Sequence, residues 1–556
     1  MKNLIRAAVL LLSIGLFSHV FAADQNSREM KIAKKYLNLP VNNSDAKVWC
    51  EIVVDGKVVR GFDVQLAAEN PDYWVFADVS EFVGKSIVLS VKDGHPALEN
   101  VYQDDRFWGQ DSLYSEKYRP QFHFSSRRGW NNDPNGLVFY DGEYHLFYQH
   151  NPYSTGWGNM HWAHAVSNDL VHWKELPLAL FPDEFGTMFS GSAVVDWNNT
   201  SGFQTGKEKV LVAAYTAHKN VPNSAVETQC IAYSNDRGRT WMKYENNPVI
   251  GDQRPIWNSA NIRDPKVFWY EPGKHWVMAL FESIGISVYT SDNLKEWTFQ
   301  SHTEGFWECP ELFELPVDGD PKNKKWVMYG ASGSYAIGDF DGNKFTWESG
   351  KHWYNHGAMY AAQSYNDIPT SDGRRIQIGW GRIQSPGMPF NQMMLFPTEL
   401  SLRTTSNGVR LFCEPAREIE LLHGKKYEWK NISRQEINKE LEKVTGDLLH
   451  IRCEIESKTA HSFGLEIHGN QLMYELNRNT FNGFPFALQP NKNTLYFDVL
   501  VDKTSIETFL DHGALYSATA RNLKNETKGI QFFRKGSWDE ILIKSCEIFE
   551  LKSIWK

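Results

Sequence analysis

The sequence predicts an all-β chain: a five-bladed β-propeller followed by a C-terminal β-sandwich, with an extra small N-terminal β-rich domain. Three observations carry this. From about residue 46 to the end, short apolar or alternating runs are bounded by Asp/Asn–Gly turns, and long helical periodicity is nearly absent. One unit recurs, a polar turn followed by an aromatic strand: Ser167-Asn168-Asp169-Leu170-Val171-His172-Trp173, then Ser234 to Trp241, then Ser291 to Trp297, and a looser copy from Asp339 to Trp347. Its tryptophans step by 68, 56 and 50 residues, and a period of about 50 residues with several strands per repeat is that of propeller blades. Four copies plus the opening hairpins leave room for about five blades.

Residues 1–22 read as a signal peptide, with Lys2 and Arg6 in the charged region, an apolar run from Ala7 to Phe17, and cleavage after Ala22. The run is too short for a membrane span, and no later segment is long and apolar enough. The expected location is therefore exported, periplasmic or extracellular. Losing the leader removes two positive charges and no acid, taking the net charge from −9 to −11. So acidic a protein is a poor partner for nucleic acid or an anionic membrane. A monomer is expected.

Residues 24–42 are polar, with a short helix expected around Arg28 to Tyr36. The stretch 24–115 forms the N-terminal domain, with strands at Lys47 to Val54, Lys57 to Leu66, Tyr73 to Val79 and Ser86 to Val91. It contains no catalytic constellation; a structural appendage and a sugar-binding module are both consistent with it. The propeller is placed at 118–422, a charged connection at 423–428, and the sandwich at 429–556. Sandwich strands are expected at Leu448 to Ile455, Ser462 to Ile467, Gln471 to Leu476, Thr494 to Val501, Ser505 to Leu510, Ile530 to Phe533 and Ile541 to Leu551.

The six cysteines, Cys50, Cys230, Cys309, Cys413, Cys453 and Cys546, are scattered without C-x-x-C spacing. Neither a structural zinc site nor disulfide pairing is expected. Phosphate-loop and dinucleotide motifs are absent, and neither a metal nor an organic cofactor is expected. The aromatic content is 14%, which suits a β protein that stacks sugars and equally one with aromatic-rich cores.

Three acids stand in unusual company. Asp133 lies in Trp130-Asn131-Asn132-Asp133-Pro134-Asn135-Gly136, read as a tight turn at the mouth of a hairpin. Asp264 lies in Ile262-Arg263-Asp264-Pro265, just before an apolar strand. Glu308 lies in Phe306-Trp307-Glu308-Cys309-Pro310, also before a strand. They are 131 and 44 residues apart, hence on different blades, yet the corresponding strand of each blade faces the axis. Convergent carboxylates suit glycoside hydrolysis, in which one attacks the anomeric carbon and another protonates the leaving oxygen. The amides beside Asp133 favour an ionised nucleophile. The apolar neighbours of Glu308 should raise its pKa and suit it as the acid. Arg263 should keep Asp264 ionised. Each acid taken singly also has an ordinary structural explanation.

In order and spacing, Trp-Asn-Asn-Asp-Pro-Asn-Gly, Arg-Asp-Pro and Trp-Glu-Cys-Pro resemble glycoside hydrolase family 32, the invertases, inulinases and levanases. Further matches are Phe147-Tyr148-Gln149, Trp157-Gly158, Phe189-Ser190-Gly191-Ser192, Asp339-Phe340-Asp341-Gly342 and, near the C-terminus, Val501 to Phe509. The resemblance covers about 118–556. It implies a five-bladed propeller and sandwich, with Asp133 as nucleophile, Glu308 as acid/base and Asp264 as a transition-state stabiliser. It further implies that Asn132, Gln149, Trp157, Phe189, Ser190 and Arg263 line a pocket for a terminal fructose, with Trp130 and Trp380 as wall residues. The expected activity is that of an exo-acting retaining β-fructosidase on levan, inulin or sucrose. An endo-acting fructan hydrolase, a fructosyltransferase and a non-catalytic fructan-binding protein are the alternatives.

Overall fold

The structure is a computed structural model that describes residues 26–348, 350–457, 461–487, 493–524, 529–536 and 540–555; the leader falls outside them. Among these residues, five four-stranded antiparallel units follow one another in sequence; Phe390–Asn391 adds a short parallel strand to the first, and the fourth and fifth are joined by a parallel pairing of Val317 with Leu402. Blade I runs from Gly129–Tyr140 through Glu143–Asn151 and His161–Ser167 to Lys174–Glu175. Blade II comprises Thr187–Asp196, Val210–Val221, Ser224–Ser234 and Met242–Lys243, and blade III Ile262–Tyr270, His275–Glu282, Gly285–Ser291 and Thr298–Glu304. Blade IV comprises Glu311–Val317, Asp320–Tyr329, Ser334–Phe340 and Phe345–Trp347, and blade V Met359–Ser364, Arg375–Gly381, Thr398–Thr405 and Gly408–Pro415. The all-β propeller architecture expected from the sequence is present.

The recurring turn joins the third and fourth strands of blades I to IV. In its first three copies the indole N–H of Trp173, Trp241 and Trp297 donates to the carbonyl three residues back, each at 3.1 Å. The Ser hydroxyl of each copy bonds the Asp or Asn two residues on. The repeat is therefore a self-contained turn that satisfies its own polar groups. Blade V closes the same hairpin with the two residues Ser406 and Asn407, so it leaves no such mark in the sequence.

Polar side chains from blades III, IV and V are buried between the blades. Lys266 Nζ, 2% exposed, pairs with Glu311 at 2.9 Å and donates to the Ser364 carbonyl at 2.6 Å. Asn366 Nδ2 bridges the carbonyls of Ala193 and Val267. A buried ion pair survives only when its remaining hydrogen-bonding groups are met, and here they tie blades III, IV and V together.

The N-terminal region folds as a four-stranded sheet, in the order Ser27–Lys31, Ser86–Val91, Val48–Val54, Lys57–Val64, packed on a three-stranded sheet of Tyr73–Asp78, Tyr36–Val41 and Tyr102–Asp104. The helix expected around Arg28 to Tyr36 is absent. Residues 27–31 and 36–41 are strands there, because Met30, Ile32, Leu37, Leu39 and Val41 alternate into the core. Among the described residues the C-terminal sandwich has a five-stranded sheet and a six-stranded sheet to which Asn355–Gly357, from the propeller segment, adds a parallel seventh strand. The segment 423–428, expected as a connection, begins the strand His423–Ser433, which pairs along Leu542–Leu551; as an edge strand it carries charge on its open side.

Propeller and sandwich meet at a fully buried imidazole. His123 Nδ1 lies 2.8 Å from Asp502 and Nε2 2.5 Å from Glu507. Burial opposes charge on the ring, but the two carboxylates raise it to about 9. Asp502 also accepts from the backbone N–H of Gln121 and Phe122, and Glu507 from that of Phe396 and the hydroxyl of Tyr516. The Val501 to Phe509 motif thus supplies the sandwich's half of the joint.

Candidate active site

The inner strands of blades I, II, III and V share one irregularity. Between Asn131 and Pro134, Met188 and Gly191, Arg263 and Lys266, and Tyr360 and Gln363, the inner strand has one residue more than its partner. Such a bulge re-aims the extra side chain and twists the strand. The residues within the bulges are Asn132 and Asp133, Phe189 and Ser190, Asp264 and Pro265, and Ala361 and Ala362. Blade IV reaches the same level differently: Glu308 and Cys309 take left-handed backbone, φ 51° and 41°, just before Glu311–Val317. Asp264 (φ 68°) and Ala361 (φ 49°) share this unusual conformation for non-glycine residues.

Asp133 and Asp264 therefore lie inside strands Gly129–Tyr140 and Ile262–Tyr270, not in a turn or ahead of a strand as expected. The Pro and Gly near Asp133 support a bulged strand, which needs the same backbone freedom as a turn.

The three acids converge. Asp133 Oδ2 accepts from Ser190 Oγ at 2.7 Å and Oδ1 from Asn132 Nδ2 at 3.3 Å. Cys309 Sγ sits 3.6 Å from Asp133 Oδ2 and 3.5 Å from Asp264 Oδ2, and its backbone N–H donates to that same oxygen of Asp264 at 3.0 Å. Burial pushes the Cys309 thiol well up, so it remains a protonated donor between the two acids. The backbone N–H of Asp264 donates to Thr216 Oγ1. Glu308 Oε1 accepts from Arg263 Nη2 at 2.6 Å and Oε2 from the Tyr360 hydroxyl at 2.7 Å.

Two electrostatic expectations change. Burial, with help from the charge of Glu308, pushes Asp133 above the usual carboxylate range; Ser190, Asn132 and Cys309 oppose it with donors. Burial likewise pushes Asp264 up to about 8, against Arg263. Arg263 does not dominate, because its Nε lies 4.0 Å from Asp264 while its terminal nitrogens are spent on Glu308, Glu227 and Asn261. The apolar surround expected for Glu308 is also absent. Phe306 is buried against Trp347 and Trp307 is 44% exposed, while the carboxylate faces an arginine and a tyrosine.

The other expected pocket residues fall round this cluster. Trp130 Nε1 donates to Asn132 Oδ1 at 2.9 Å, and its ring meets Trp380 edge-on at 6.0 Å. Trp380 meets Tyr360 in turn at 6.1 Å. Phe189 contacts Trp157 at 6.0 Å and stacks on His218 at 4.1 Å; His218 pairs with Glu227, which pairs with Arg263. Gln149 is buried, with its amide committed to the Met188 carbonyl at the blade II bulge. Sequence reasoning assigned no role to Cys309, although it lies in the Trp-Glu-Cys-Pro motif. Tyr360, Thr216, His218 and Glu227 gave no signal, since each stands in an ordinary apolar or alternating strand. Among the described residues no group of three or more His, Cys, Asp or Glu has metal-holding geometry.

Residues 123–415 match the N-terminal domain of glycosyl hydrolases family 32, and 418–550 match that family's C-terminal domain. The chain belongs to glycoside hydrolase family 32. Residues 24–122 match a domain of unknown function, DUF4980. A levanase of Bacillus subtilis is 42% identical over 496 residues, spanning 80% of this chain and 72% of that one. An extracellular exo-inulinase of Aspergillus niger is 38% identical over 353 residues, 54% of this chain and 65% of that one. Among solved structures, the exo-inulinase of Aspergillus awamori superposes with a TM-score of 0.69 at 28% identity, covering 80% of this chain and all of that one. This family 32 member is a glycoside hydrolase of the β-fructofuranosidase type.

Proposed function

We propose that the enzyme is an exported, exo-acting, retaining β-fructosidase that releases fructose from the ends of levan or inulin and from sucrose. The observation that carries this is the convergence of Asp133, Asp264 and Glu308 from three blades, with Cys309 bonded to two of them and Arg263 and Tyr360 holding the third. Asp133 attacks C2 of a terminal fructosyl unit, the C2–O bond to the leaving group breaks, and Glu308 gives its proton to the departing oxygen. Water then attacks C2 of the fructosyl ester, Glu308 takes the water's proton, and Asp133 leaves as a carboxylate. After the first step Glu308 is charged, and Arg263 and Tyr360 stand in place to stabilise it. Asp264 bonds fructosyl hydroxyls. Asn132, Ser190 and Arg263 orient the acids, Gln149 braces the blade II bulge, and Trp130, Trp157, Phe189 and Trp380 form the aromatic wall.

The buried Lys266–Glu311 pair and Asn366, which bond between blades in the propeller interior, support a site closed at one end and hence exo action. Purified protein incubated with levan, inulin and sucrose, with products resolved by chromatography, tests the reading. Fructose as the sole early product from polymer is expected; oligomers would mean endo cleavage. Binding without release of any sugar, unchanged on Asp133→Ala, would mean a non-catalytic binder.

A further inference from the structure

Trp157 stands beside the site, 54% exposed, and its ring approaches Phe189 edge-on at 6.0 Å. Its chain neighbours are Gly156 and Gly158, and the surrounding segment 152–160 has no regular structure. A tryptophan between two glycines on an irregular loop has a large backbone entropy to lose, so something outside the loop must fix it.

Within the propeller, Asn151 donates to the Gly156 carbonyl at 2.8 Å and Asn391 to the Thr155 carbonyl at 3.1 Å; further ties come from the N-terminal domain. On the near side, Tyr153 leaves blade I and enters that domain's core, where it is 1% exposed and stacks on Phe62 at 3.7 Å. The backbone N–H of Thr155 donates to the Tyr73 hydroxyl at 3.2 Å, and that hydroxyl donates to Asn43. On the far side, Asn159 makes a paired contact with the backbone of Asp63. Its Oδ1 accepts from Asp63 N–H at 2.8 Å and its Nδ2 donates to the Asp63 carbonyl at 2.7 Å. Asp63 lies on the edge strand Lys57–Val64, so the amide side chain continues the sheet like one further ladder rung. Asn159 itself holds left-handed backbone, φ 43°. Both flanks of Trp157 are thus tied to the N-terminal domain in addition to their propeller bonds through Asn151 and Asn391, while the indole itself stays half exposed beside Phe189.

We propose that the N-terminal domain is a working part of the substrate site: through Tyr73 and Asp63 it positions Trp157 as a wall for the terminal β-fructosyl unit. Asn159, Thr155 and Tyr73 are positioning residues that act through Trp157 and touch no reacting atom. This inference rests on the β-fructosidase reading for the identity of the ligand.

The experiment uses the full-length chain and a double-mutant cycle between Asn159→Ala and Trp157→Ala, with kcat and KM measured separately on sucrose and on levan or inulin. Asn159→Ala removes the two Asp63 bonds together with the bond to Asn151 and is expected to raise KM about five- to tenfold, the worth of about one net hydrogen bond, with kcat within about twofold; Tyr73→Phe leaves Asn151 untouched and isolates the N-terminal domain's share. The double variant is expected to match Trp157→Ala alone, since a misplaced ring and a missing ring are the same loss. Tyr73→Phe, which keeps the buried ring, is the second variant and is expected to raise KM in the same sense should Asn159→Ala fold poorly. Multiplicative effects in the double variant, or a fall in kcat with KM unmoved, would overturn the proposal. A wild-type protein inactive on every fructoside would instead overturn the functional reading, leaving the two failures distinguishable.

Discussion

Replacing Ser190 by Ala removes the shortest hydrogen bond that Asp133 receives, 2.7 Å from a side chain that is itself 5% exposed. Burial already pushes Asp133 above the usual carboxylate range, and the Ser190 hydroxyl works against that rise. Deleting it therefore moves the folded-state pKa further up. A hydrogen bond to a charged acceptor is worth about 1.5–3 kcal/mol, and 1.36 kcal/mol is one pH unit. With Asn132 and Cys309 still donating, the lower end applies, giving a shift of about one unit. A nucleophile must be ionised, so the acidic limb of kcat/KM against pH should move up by that amount. On the acid side kcat/KM should fall about tenfold, with much of the loss recovered at higher pH. The assay is the pH profile of kcat/KM on sucrose for wild type and Ser190→Ala. An acidic limb that stays in place, or moves down, would refute the assignment of Ser190 to the nucleophile's charge.

Arg263→Lys keeps a cation but cannot span Glu308, Glu227 and Asn261 at once; kcat/KM should fall about 100-fold, the cost of a misplaced catalytic group. Steady-state kinetics beside a melting curve checks this, and activity within a few-fold of wild type would show the fork to be dispensable. The His123 joint makes stability depend on pH. Its folded value of about 9 lies above the ordinary 6.5, so its contribution of about 3 kcal/mol is complete below pH 6.5 and is lost as pH rises through 9. Calorimetry of wild type against His123→Gln should show a Tm gap that is wide in mild acid and narrows through that window; a gap independent of pH would contradict it.

The propeller was legible because its third hairpins carry a turn that must satisfy its own polar groups locally, and such a turn leaves a sequence mark. Blade V uses a two-residue hairpin and left none. Sandwich strands that are largely apolar and almost wholly buried, such as Thr494–Val501 and Ser505–Leu510, were read to the residue. The strand His423–Ser433 was not, because its exposed edge is coloured by charge. In the site, the acids were visible as carboxylates set beside Pro, Trp and Cys. Their charge states were not, because burial depends on five blades closing at once. Arg263 is the clearest case: adjacent to Asp264 in sequence, it turns its guanidinium to Glu308, since neighbours along a strand point to opposite sides. Tyr360 and Thr216 reach the acids only through a bulge or a neighbouring blade, and no local pattern announces that.

The central claim is that Asp133 forms a covalent bond to fructose. Glu308→Ala, given a β-fructoside whose leaving group departs without protonation, should stall after the first step, because no base remains to activate water. Mass spectrometry of the quenched, digested protein should then find one fructosyl residue esterified to the peptide carrying Asp133. A label on Asp264, or no label while fructose is released with inverted anomeric configuration, would contradict the account.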